Sequence, residues 1–160
     1  SYEQLEYIPS QSCEIKYNIY LLYSQRPKNL STNYSIHIDI YEKHDLTYRA
    51  SWFLLIPFLF LPVNRISALL FIPSESSSVS SNCPIKCQHG HCIKYLNNEE
   101  EFFCQCLPGW SGYQCNIKIN CQSCSFDSLC IGIINNRSIC LCPLNKIGPR
   151  CLIISPCPKK

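Results

Sequence analysis

Methionine is absent from all 160 residues, position 1 included, and glycine occurs only five times. The start has no basic end followed by an apolar stretch, so no secretory leader is visible. The chain stops at Cys157-Pro158-Lys159-Lys160, just past a complete cysteine pattern. Together these features read as an internal piece of a longer chain, and the missing leader then carries no argument for the cytosol. Long runs of like charge are missing as well. The longest is Glu99–Glu101, which reads as a solvated loop. Residues 1–82 hold six Lys/Arg against seven Asp/Glu, and residues 83–160 hold eight against four, which gives −1 and +4 for a net of +3. Neither half is basic enough for a nucleic-acid partner. No apolar run is long enough for a helical span, which needs about 20 residues. The best candidate, Ala50–Asn64, has 15 residues, is broken by Pro57 and Pro62, and is closed by Arg65. It reads as a buried strand–loop–strand. The alternative is a membrane-associated segment, with residues 50–64 contacting or entering the bilayer.

What the chain does have is cysteine. Thirteen of its 14 cysteines lie between Cys83 and Cys157, and Cys13 stands alone before them. Small cysteine-dense segments bury too little to hold themselves together and rely on disulfides, which persist in oxidising compartments. The expected location is therefore extracellular, either secreted or in the ectodomain of a membrane protein.

Residues 1–72 read as a β-rich region. Glu14–Ser24 is rich in Ile, Tyr and Leu. In Asn33–Lys43, Ile36, Ile38 and Ile40 alternate with His37, Asp39 and Tyr41, a period of two. Leu46–Ile56 and Arg65–Ile72 continue the strand chemistry, with turns at Arg26–Asn29 and Glu42–Asp45. Four antiparallel strands forming a sheet are expected. Residues 73–82 are a Ser-rich linker where the domain boundary belongs. The fold class is all-β: an N-terminal antiparallel β-sheet region followed by two small disulfide-rich modules.

Those modules are an internal repeat of about 37 residues. The first set is Cys83, Cys87, Cys92, Cys104, Cys106 and Cys115; the second is Cys121, Cys124, Cys130, Cys140, Cys142 and Cys151. Both close with Cys-x-Cys followed by eight residues and a last cysteine. Six cysteines permit many pairings, and Cys-x-Cys partners rarely bridge each other because the tight loop strains the dihedral. The first set carries Cys87-Gln88-His89-Gly90-His91-Cys92. It also carries Phe102-Phe103-Cys104-Gln105-Cys106-Leu107-Pro108-Gly109-Trp110-Ser111-Gly112-Tyr113-Gln114-Cys115. This resembles the EGF-like family, with its Cys-x-x-Gly-x-Cys turn and its Gly-aromatic-x-Gly closing segment. Gly109 and Gly112 suit turns of positive φ, with Trp110 and Tyr113 covering a small core. The second set keeps Gly148, and Asn145 stands where the first glycine belongs, tolerable because Asn visits the left-handed region.

The resemblance implies EGF-like modules at 83–115 and 121–151, a short joint at 116–120 able to flex, and the start of a further module at 152–160. It also implies the pairs Cys83–Cys92, Cys87–Cys104 and Cys106–Cys115. In the second copy the pairs are Cys121–Cys130, Cys124–Cys140 and Cys142–Cys151. Cys157 stands where a third module opens and is expected to pair beyond Lys160, and Cys13 upstream of Ser1. The block from Tyr48-Arg49-Ala50-Ser51-Trp52 to Leu61-Pro62-Val63-Asn64-Arg65 resembles segments of large receptors that combine LDL-receptor-like and EGF-like modules. It carries no functional residue across.

Other chemistries fit poorly. Zinc favours paired Cys-x-x-Cys knuckles, and only Cys121-x-x-Cys124 has that form, so His89 and His91 read as turn residues. The EGF-like calcium site needs oxygen ligands before the first cysteine, where Ser80-Ser81-Asn82 and Lys118-Ile119-Asn120 stand; no calcium site is expected. His37, Asp39, His44 and Asp45 have no nucleophile tied to them and read as exposed strand residues. No enzyme activity and no cofactor are expected. Asn29, Asn33 and Asn136 each open an Asn-x-Ser glycosylation sequon. The expected function is a protein–protein interaction or spacer segment of a modular extracellular protein. Its partner is an unknown protein ligand, and membrane anchoring outside this segment is compatible with that reading.

Overall fold

The computed structural model describes residues 4–5, 18–20, 33–56, 66–74, 82–121, 123–134 and 137–155. The chain falls into two compact units, Ser1–Thr32 and Asn33–Lys160. In the first, residues 4–5 and 18–20 are exposed and carry no strand. The rest of the strand expected at Glu14–Ser24, together with Cys13 and the turn at Arg26–Asn29, lies outside the described residues. The second unit is all-β, with no helix among the described residues.

Its first element is a hairpin. β1 (Tyr34–Tyr41) pairs antiparallel with β2 (Tyr48–Ile56). The register sets Ile36, Ile38 and Ile40 opposite Leu54, Trp52 and Ala50, so the apolar residues of both strands share one face. Ala50 and Trp52 are buried there. Asp45 closes the turn, accepting from the Thr47 amide (3.0 Å) and hydroxyl (2.7 Å). Among the described residues, two of the four expected strands form this sheet. Residues 66–72 of the strand expected at Arg65–Ile72 carry none. Leu69-Leu70-Phe71-Ile72 has no polar alternation to select a buried face, and Leu69 and Phe71 are exposed. Residues 57–65 and 75–81, which hold most of the expected linker, lie outside the described residues.

The two cysteine-bounded segments share one plan, a larger hairpin followed by a smaller one. The first (83–115) has β3 (Gly90–Lys94) paired with β4 (Phe102–Cys106), then β5 (Trp110–Ser111) paired with β6 (Ile117–Lys118), which lies just past its last cysteine. The second (121–151) has β7 (Leu129–Ile134) with β8 (Arg137–Leu141), then β9 (Lys146–Ile147) with β10 (Ile153–Ile154), again just past its last cysteine. Bridges join Cys83–Cys92, Cys87–Cys104, Cys106–Cys115, Cys121–Cys130, Cys124–Cys140 and Cys142–Cys151. This architecture fits disulfide-rich EGF-like modules.

Several local features differ from the sequence reading. Gly90 is a strand residue, not a turn residue. A Cβ there would sit 2.4 Å from the Gln105 carbonyl oxygen and 2.8 Å from Cys115 Sγ, so the position demands the missing side chain itself. Gly109 has φ 85° in the turn closed by Trp110 N–H to Leu107 C=O (3.0 Å), a type II arrangement with Pro108 ahead of it. The matching turn in the second module, Lys146 N–H to Pro143 C=O (3.1 Å), leaves Asn145 without a positive φ, as type I turns do. Tyr113 is 73% exposed and covers no core, while Trp110 stacks on His89 with centroids 3.5 Å apart. Buried Ile93, Tyr95 and Cys115 form the interior instead. The joint 116–120 is tied into the first module, since β6 pairs with β5 and the Ile119 amide donates to the Gly109 carbonyl (2.8 Å).

Candidate interaction surface

The hairpin and the first module meet through a continuous polar chain. The Tyr48 hydroxyl donates to Ser51 Oγ (2.9 Å), and Ser51 Oγ donates to the Asp39 carboxylate. His37 Nε2 contacts Asp39 Oδ1 (2.5 Å), and His37 Nδ1 contacts the Tyr95 hydroxyl (2.8 Å). With a neutral ring, Nε2–H donates to the carboxylate and the Tyr95 O–H donates to Nδ1. Aromatic packing surrounds this chain: the His37 ring lies edge-on to Tyr95 (5.2 Å) and Phe103 (4.7 Å), and Phe53 lies 5.4 Å from Tyr95. His37 and Asp39, read as exposed strand residues, are exposed and also carry the docking contacts of the hairpin.

Backbone pairing completes the docking. Leu96 N–H donates to the Ser51 carbonyl (3.0 Å). The Asn97 side-chain amide accepts from Phe53 N–H (2.9 Å) and donates to its carbonyl (2.7 Å), standing in for a neighbouring strand. Leu96 and Asn97 thereby satisfy backbone groups on the outer edge of β2, which would otherwise invite foreign pairing. At the turn end, Lys43 Nζ reaches the Lys146 carbonyl of the second module (3.5 Å). A cleft of about 130 Å³ lies there, lined by Tyr41, Leu46, Tyr48, Gln105, Leu107 and Leu129. That is below the roughly 300 Å³ at which small-molecule sites begin.

Burial pushes the Tyr48 hydroxyl up to about 12, reinforced by the Asp39 charge and opposed by the Ser51 hydrogen bond. Burial, then Asp39 and Glu101, raises Tyr95 also. Raised folded values mean that this stability is fully present below the ordinary 10.0 and is lost as pH rises through about 12. Ionisation would also remove the donor at each end of the chain and set a second negative charge near Asp39. An ultraviolet tyrosinate titration is therefore expected to show a late fraction above pH 10, with hairpin amides losing exchange protection in step with it. Hairpin protection that disappears before any late tyrosine titrates would contradict this account.

The second module presents a different feature. Ser125–Ser128 form a turn (Ser128 N–H to Ser125 C=O, 3.1 Å), reinforced by the Ser128 hydroxyl on the same carbonyl (2.6 Å). Ser125 Oγ bonds Asp127 (2.5 Å), and Lys146 Nζ bonds both Ser125 Oγ and Asp127 Oδ1 (2.7 Å each). The Lys146 ammonium, then Ser125, holds the Asp127 carboxyl below its usual range. Phe126, at the tip of this pinned turn, is 98% exposed, with Lys146 Nζ 5.2 Å from its ring centroid. Ile154 stands opposite Lys146 in the β9–β10 register, on the same face, and is 77% exposed. Periodicity gave no hint of Phe126; the Ser-x-Asp-Ser turn chemistry around it was the available signal.

Of the sequon residues, Asn33 is exposed just before β1, while Asn29 and Asn136 lie outside the described residues, as does Cys157. No group of three or more His, Cys, Asp or Glu suited to a metal occurs among the described residues. Ala50–Ile56 of the apolar stretch is strand, and no described helix is long and apolar enough to cross a membrane.

No family model matches the chain. The "Protein eyes shut homolog" of Pongo abelii is 39% identical over 56 residues, which is 34% of this chain and 2% of that protein. The chain thus spans a small fraction of that relative's length. The match and the cysteine pattern are compatible with EGF-like domains.

Proposed function

We propose that this chain is an extracellular, non-catalytic recognition segment of a modular protein, built from two tandem EGF-like repeats and a docked β-hairpin. One observation carries the reading: Phe126 is almost fully exposed on a turn fixed by hydrogen bonds and by the neighbouring Cys124–Cys140 bridge. A flexible exposed aromatic loses freedom on binding, whereas a pre-organised one is suited to act as an anchor. A pure spacer has no need of such a residue. Six bridges within residues 83–151 favour an oxidising compartment. The test presents the secreted segment to a panel of purified ectodomains, alongside Phe126→Ser. A defined ectodomain that binds the parent and loses about 30-fold or more in affinity with the variant supports recognition, on the hot-spot scale. Only Phe126-independent binding, or none to the panel or to the chain itself, leaves the spacer.

A further inference from the structure

The second unit carries two complementary features at opposite ends of the hairpin. At its turn end, beside Lys43 and Lys146, stands the Phe126 knob, with Ile154 on the same face as Lys146. Its module is net basic: residues 121–155 hold Arg137, Lys146 and Arg150 against Asp127, with Lys146 and Asp127 paired at 2.7 Å. At the open end lies a depression of about 540 Å³, lined by Tyr34, Phe53 and half-exposed Leu55 and by somewhat more polar surface, including Asn33, Asn97 and Glu101. Glu99 and Glu100, both exposed, precede Glu101 in the chain, and Glu99 lies 3.4 Å from Lys94 Nζ. The strands between the two ends hold eight and nine residues, which at about 3.3 Å per residue sets the features roughly 25 Å apart. One molecule cannot seat its own knob in its own depression.

Resting on the recognition reading above, we infer that the partner is a second copy of this chain, joined head to tail by Phe126 entering the Tyr34–Phe53–Leu55 depression of the next copy. Arg150 then faces the Glu99–Glu101 segment, Lys146 being held by Asp127. An apolar knob on a module with three cations against one carboxylate meets a part-apolar hollow beside three glutamates, so charge sets the register while the ring supplies the buried contact. Such a contact is heterologous, using different patches on the two copies, and it extends into open chains instead of closing as a symmetric dimer. A single aromatic knob makes a small interface, so the association is weak in isolation and gains strength where copies are held together.

Sedimentation velocity tests this on the whole chain, with free thiols capped so that no intermolecular disulfide imitates the contact. An Asn33→Gln background removes the sequon beside the depression. From about 1 µM to about 1 mM, the range for small interfaces, the chain is expected to grow into a concentration-dependent series of oligomers. Phe126→Ser and the charge reversal Glu99→Lys/Glu100→Lys/Glu101→Lys should each be monomeric. Each keeps one intact half, so their equimolar mixture is expected to form dimers and nothing larger. A monomeric parent throughout, or a mixture that stays monomeric, overturns the head-to-tail contact. So does a parent that stays monomeric while sedimenting in a Phe126-dependent way with phosphatidylserine-containing vesicles. A Phe126-dependent ectodomain partner for a monomeric chain would overturn self-association and leave the recognition reading standing.

Discussion

Removing the Cys124–Cys140 bridge, as Cys124→Ala with Cys140→Ala, is expected to unfold residues 121–151 at a cost of about 2–5 kcal/mol. The reason is how little else that module has. Its buried cluster is Cys140, Cys142 and Cys151, with Cys124 packed against it, so two of the four members supply the bridge. The loop it closes has a sequence separation of 16, against 9 for each of the module's other two bridges. Longer loops release more chain entropy when the link is cut. Leu141 is buried, but most of the remaining apolar side chains are not: Leu144, Leu152, Ile153 and Ile154 are exposed. They supply little of the burial that would replace the bridge. Thermal unfolding followed by near-ultraviolet circular dichroism should lose the transition belonging to this module. Amide exchange should show β7 and β8 open while β3 and β4 stay protected. A variant that melts within a few degrees of the parent would mean that packing, and not the bridge, holds the module.

The same scarcity explains what could be read in the sequence. Where disulfides do the work, spacing is informative, because cysteine separations constrain the loops; the bridges follow the order that the EGF-like resemblance implies. The β1–β2 hairpin was legible for another reason. Ile36, Ile38 and Ile40 alternate cleanly, and a period of two selects one face. That hairpin's role was not legible. His37 and Asp39 look like the solvent face of an ordinary strand, yet His37 meets Tyr95, 58 residues later, through a hydrogen bond. No local pattern encodes a contact at that separation. Residues 66–72 failed as a strand for the converse reason, since composition promised β-structure but supplied no alternation to place it. Phe126 escaped notice because nothing about one phenylalanine in a short inter-cysteine loop says whether it points in or out.

Replacing Tyr95 by alanine is expected to undock the hairpin at a cost of about 3–5 kcal/mol, the range for deleting a buried aromatic. Tyr95 is buried and lies within aromatic contact of His37, Phe53 and Phe103, so one deletion opens three contacts. It also withdraws the hydroxyl that ends the Tyr48–Ser51–Asp39–His37 chain, leaving His37 Nδ1 to find water. The Leu96 and Asn97 bonds to β2 follow directly in the chain and depend on Tyr95 for their position. Tyr95→Phe separates the two effects. It removes only the hydroxyl, is expected to cost about 1 kcal/mol, and should leave the hairpin docked. Hydrogen exchange at Ile36–Ile40 and the fluorescence of Trp52 report the hairpin directly. Mass mapping should find the bridges of the first module unchanged in both variants, since β3, β4 and their cysteines do not need the hairpin to pair. Full β1–β2 protection in Tyr95→Ala would show that the backbone bonds alone secure the docking. Loss of the module's bridges would show the reverse dependence, with the hairpin supplying a core that the disulfides cannot replace.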